Sequence, residues 1–142
     1  MRRLSLAFLL LAGVPAQAQM TPVGLWRTID DATGEPRGEI RIVATPSGAL
    51  VGTIERSLVA GGEPRCTHCT DDRKDKPKIG MDIIRGARKA EGREVWEDGE
   101  ILDPDNGKTY ALRLSPIEGG ARLEVRGSIL FFFRTQTWVR VK

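Results

Sequence analysis

Beyond residue 18, polar and apolar positions alternate with a two-residue period, and little of the chain carries the 3.6-residue period of an amphipathic helix. In residues 38–44, Ile40 and Ile42 fall on one face and Glu39 and Arg41 on the other. Residues 108–114 set Tyr110, Leu112 and Leu114 against Thr109 and Arg113. Residues 121–127 are the most regular, with Leu123 and Val125 opposed to Arg122, Glu124 and Arg126. Residues 135–141 alternate and are rich in β-branched side chains, and residues 79–85 give Ile79, Met81 and Ile83 a common face. Less regular strands are predicted at 24–29, 50–55 and 94–102.

Short turns at 31–34, 46–48, 105–107 and 118–120 separate these runs, each with a glycine where positive φ is wanted. About eight short strands joined by tight connections argue for an antiparallel meander. Eight half-apolar strands need either a second sheet or closure, and closure removes the exposed edges. The expected fold is therefore all-β: a small antiparallel up-and-down barrel of about eight strands, with one long loop over residues 56–78. Strand parity puts Ile40, Ile42, Met81, Ile83, Tyr110, Leu112, Leu123 and Val125 on the enclosed side. A one-residue slip would turn any strand's set outward.

The first 18 residues have the three parts of a secretory leader: Arg2 and Arg3, an apolar core over 4–11, and a small-x-small site at Ala16-Gln17-Ala18. That core is too short for a membrane-spanning helix, which needs ~20 residues. One domain is expected over residues 19–142, in the periplasm or secreted. Removing Arg2 and Arg3 leaves 20 basic against 19 acidic residues, a balance that gives no reason to invoke nucleic acid.

Chemistry-bearing residues concentrate in the long loop. In an exported chain, Cys66 and Cys69 most simply form a disulfide. Two alternatives stay open. One is a redox pair; the other is a metal site drawing on Cys66, His68, Cys69 and Asp71 or Asp72. The charged run 71–78 reads as a solvated face, or as a cationic lip of Arg73, Lys74 and Lys76 beside an anionic ligand. The segment 103–107 fits a hairpin turn better than a calcium loop, since Gly107 stands where the fifth ligand position would be. No nucleophile elbow, phosphate loop or dinucleotide fingerprint is present, so no catalytic residue and no cofactor is expected.

Gly24-Leu25-Trp26 resembles the Gly-x-Trp opening of lipocalin-type barrels, in which the indole plugs the base and an arginine of the last strand packs over it. Arg134 and Arg140 flank the last predicted strand, and Gly24, Trp26 and Arg140 are the expected base. Five blocks then match one family in order: 24–30, 66–69, 72–81, 101–110 and 134–138. Through them the chain resembles the exported bacterial proteins known as domain of unknown function 2147. The resemblance implies a lipocalin-like (calycin) barrel and carries over no catalytic or ligand-binding residue. The function expected is non-enzymatic binding of a small apolar ligand inside the barrel. The alternatives are an envelope redox or metal-responsive module built on Cys66 and Cys69, and an interaction module using the apolar run 130–133.

Overall fold

The computed structural model describes residues 20–142, so the expected leader lies outside the described residues. Eight strands follow one another: β1 (Gly24–Ile29), β2 (Pro36–Ala44), β3 (Leu50–Ser57), β4 (Asp82–Lys89), β5 (Trp96–Leu102), β6 (Thr109–Ile117), β7 (Arg122–Ile129) and β8 (Phe132–Arg140). Each pairs antiparallel with the next, and β8 returns to β1 to close the barrel. Closure takes the place of a second sheet, so every strand can bury one face.

The register fixes which side chains point inward. Trp26 lies opposite Ile40, Ile42 opposite Gly52, and Gly52 opposite Ile84. Leu114 lies opposite Val125, and Leu123 opposite Trp138. The outer wall alternates with them and carries charge, as in the ion pairs Arg41–Glu55 at 2.8 Å and Arg113–Glu97 at 3.0 Å. Such exposed pairs each add little to stability but keep the wall wet. No helix among the described residues is long and apolar enough to cross a membrane.

Two strands differ from the periodicity. β4 begins at Asp82 because Lys78 to Met81 form a turn: the Met81 amide donates to the Lys78 carbonyl at 3.1 Å, and Gly80 takes φ +86°. Ile79 is consequently exposed. The register against β3 then slips between Asp82 and Ile84, a bulge that leaves both Ile83 and Ile84 buried. β8 starts three residues before the predicted run, since Phe132 and Phe133 continue the ladder to β7.

The two ends of the barrel differ. The chain enters at the end holding the β2–β3, β4–β5 and β6–β7 connections, here called the base. The opposite end, the mouth, holds the β1–β2 turn, the long β3–β4 loop, the β5–β6 turn and the β7–β8 hairpin tip.

Candidate functional site

The base is plugged. Trp26 is fully buried, and its indole Nε1 donates to the Pro22 carbonyl at 2.7 Å. The Arg140 guanidinium lies over the indole face, 4.2 Å from the ring centroid. It also donates to three backbone carbonyls, those of Gly120 at 2.6 Å, Val23 at 2.9 Å and Thr21 at 2.6 Å. Burial lowers its pKa from the ordinary guanidinium value, and these acceptors offset the lost hydration. Gly24 has φ +147°, and a Cβ there would collide with the Arg140 guanidinium and stand 2.9 Å from the Lys142 carbonyl. Gly24, Trp26 and Arg140 thus act as one unit, with the segment before β1 strapped across the end. Arg134, the other flanking arginine, belongs to the mouth, where it makes a bidentate pair with Asp31. That pairing holds the Asp31 carboxyl below the usual carboxylate range.

Above the plug the interior is dry. Ile40, Ile42, Leu112, Leu123 and Val125 join one buried cluster with Met81 and Ile83, and with Leu50, Ile84, Leu114 and Trp138, which the parity-based set omitted. Along the inner faces of β3, β5, β6 and β8, burial falls toward the mouth, while Met81 and Ile83 at the mouth end of β4 stay covered. Ile54 and Ile101 are only partly buried, and they pack on the cluster from its mouth side. Tyr110, opposite Ile101, is partly exposed, and its hydroxyl accepts from Asn106 Nδ2 at 3.4 Å. Gly127 faces this ring; a Cβ there would sit 3.2 Å from Tyr110 Cβ. Gln136, opposite Val125, is half-exposed and takes the Trp138 indole N–H at 2.9 Å. The ladder between β1 and β8 spans only Trp26–Arg140 and Arg27–Val139, so toward the mouth that seam is held by the Arg134–Asp31 pair. Ile54, Ile101 and Gln136 escaped the sequence reading, although Leu50, Gly52 and Ile54 do alternate; the glycine hides the period.

One side of the mouth is buttressed by the long loop. Cys66 and Cys69 form a disulfide, and both are essentially unexposed. The loop closes on itself through a bridge between Arg65 and Pro77, with the Asp75 amide donating to the Cys66 carbonyl at 2.9 Å. It packs on the β5–β6 turn, where a Cβ on Gly107 would collide with the His68 carbonyl. Asp105 of that turn pairs with Lys78 at 2.9 Å and reaches Arg37 of β2 at 3.7 Å.

The charged run is not uniformly solvated. Arg73 is 6 % exposed, pairs with Asp71 at 2.6 Å and donates to the Asp82 carbonyl at 2.8 Å. That arginine is therefore unavailable to the cationic lip imagined from sequence. Asp72 chelates Arg85 with two 3.0 Å hydrogen bonds. Among the described residues there is no group of three or more His, Cys, Asp or Glu placed to hold a metal. Two clefts of about 360 Å³ open on the outer surface. One lies along β5 to β7 around Glu97, Ala111 and Arg126; the other lies between the long loop and β4 around Asp72, Lys76 and Arg85.

A closed eight-stranded meander with a Gly-x-Trp first strand and an arginine-capped base defines a lipocalin-like barrel fold. The chain belongs to the family described as "Uncharacterized protein conserved in bacteria (DUF2147)", whose model matches residues 24–140. A solved structure titled "Protein HP1028 from the human pathogen Helicobacter pylori belongs to the lipocalin family" is similar to it in fold. The TM-score is 0.71 at 16 % identity, over 84 % of this chain and 82 % of that one. No curated protein matches the chain.

Proposed function

We propose that this is a non-enzymatic, exported binding protein that takes one small, largely apolar ligand into the mouth half of its barrel. The observation that carries the reading is the gradient of burial along the inner faces of β3, β5, β6 and β8. Trp26, Ile42, Leu114 and Leu123 at and above the base are 0 % exposed, whereas Ile54, Ile101, Tyr110 and Gln136 toward the mouth retain exposure. A fully packed barrel would have no reason to leave inward-facing isoleucines and a tyrosine wet at one end only. Binding pockets of this kind combine apolar walls with a few polar groups that orient the ligand. Here Ile40, Ile42, Leu112, Leu123 and Val125 form the floor, and Met81, Ile83, Ile54, Ile101 and Tyr110 the walls. The Tyr110 hydroxyl, the Gln136 amide and the Arg134–Asp31 pair stand at the rim, suited to a polar head on an apolar tail.

Titration with a fluorescent long-chain fatty acid tests this. The expected result is saturable one-to-one enhancement in the wild type. Ile101→Trp should weaken it at least tenfold by filling the cup, with circular dichroism unchanged. Equal binding by a correctly folded Ile101→Trp, or no saturable signal from the wild type with any of a panel of apolar probes, overturns the reading.

A further inference from the structure

The β7–β8 hairpin carries the most exposed apolar surface among the described residues. Leu130 is 90 % exposed, Phe131 98 %, Phe132 76 % and Phe133 64 %. The hairpin runs past its neighbours, because the ladder to β6 ends at Ser128 and the β1 ladder reaches β8 only at Val139 and Arg140. We propose that this tip inserts into the interfacial layer of a phospholipid bilayer, bringing the mouth of the barrel down onto the membrane surface.

Three observations converge on that occupant. The first is the turn chemistry. Ile129 lies opposite Phe132, so Leu130 and Phe131 form a two-residue turn, and Leu130 is held at φ +52°. With positive φ at the first central residue only, such a turn calls for glycine there, and a bulky side chain in the left-handed region is an outlier. The chain places Leu-Phe there at a cost in fold stability, so the fold itself does not explain the choice.

The second is direction. Phe132 shares a face with Ile129, and Phe133 shares the other face with Ser128, while Leu130 and Phe131 stand at the end. A flat protein partner or a second copy would cover one of these faces. A fluid apolar layer covers all of them at once, and it needs no complementary surface of the size a stable protein interface requires.

The third is charge at the right depth. The Arg126 guanidinium stacks 4.0 Å from the Phe133 ring centroid. Phe133 lies two residues behind Phe131, roughly 7 Å along a strand rising 3.2–3.4 Å per residue. Interfacial apolar groups bury ~5–10 Å into the headgroup and acyl boundary, which would leave Arg126 level with the lipid phosphates. The proposal does not rest on a ligand in the mouth, since membrane contact is scored without cargo.

The test is flotation of the purified chain with 3:1 phosphatidylcholine–phosphatidylglycerol vesicles. The double variant Leu130→Gly with Phe131→Asn keeps the fold testable, because it relieves the turn and should raise thermal stability. Wild type should float, and the variant should lose about tenfold in partitioning for each apolar side chain removed. In Phe131→Trp, the added indole should shift its emission to the blue on vesicles and be quenched by lipids brominated on the acyl chain. Failure of the wild type to float, equal flotation of the double variant, or an indole at position 131 that stays solvent-exposed would overturn the proposal. A dimer in sedimentation that the double variant abolishes, without vesicle binding, would assign the tip to a second copy instead. Loss of fatty-acid titration with flotation intact would sink the cargo reading and leave this one standing.

Discussion

Arg140 does three jobs with one side chain: it covers the Trp26 face, satisfies three backbone carbonyls and ties the last strand to the segment before the first. A methionine could fill similar space but would orphan those carbonyls, so Arg140→Met should cost about 1–3 kcal/mol. Lysine keeps the charge but lacks the planar fork, and should rescue little. Urea unfolding midpoints check both; a midpoint near wild type for Arg140→Met would show that the plug is decorative. This unit was legible in the sequence because its key, Gly-x-Trp, is local and an arginine near the chain end is easy to find. Choosing between Arg134 and Arg140 needed only register, since six residues along β8 separate mouth from base. Arg73 shows the opposite case. Flanked by Asp71, Asp72, Lys74 and Asp75 it looks solvated, and nothing in the string of charges reveals that the loop folds it under Asp82.

At the scale of elements, the long loop is an ordered buttress whose tether is partly electrostatic. Asp71 accepts from the Arg73 guanidinium and backbone amide, and these hold its pKa at about 2, below the ordinary 3.8. A carboxyl depressed on folding lends stability above its unfolded pKa and loses it as pH falls through the folded one. The contribution is therefore complete above roughly pH 4 and disappears toward pH 2. Because the Asp71 side chain is 40 % exposed, solvent screening confines the effect to the loop. Amide exchange at Arg73, corrected for intrinsic pH dependence, should lose protection over that window in the wild type and be largely pH-independent in Asp71→Asn. A wild-type profile flat to pH 2 would contradict the tether. The strands themselves were mostly legible, because six of the seven connections are short and leave alternation intact. The exceptions have specific causes: the bulge in β4 breaks parity and hides Ile84, and three successive phenylalanines carry no alternation to mark the start of β8.

For the whole molecule, closure followed from eight one-sided strands with nothing else to cover them, and the β8–β1 ladder supplies it. The difference between the two ends was not readable, since alternation specifies inside and outside but says nothing of depth. A plugged base, a packed floor and a partly wet rim make the barrel a cup, and the proposed binding function rests on that shape. Heteronuclear NMR titration with a long-chain fatty acid tests this most directly. The account predicts saturable one-to-one shifts centred on Ile54, Ile101, Tyr110 and Gln136, fading toward Trp26 and Arg140. Shifts confined to the outer wall or to residues 130–133, or no saturable shifts at all, would contradict it.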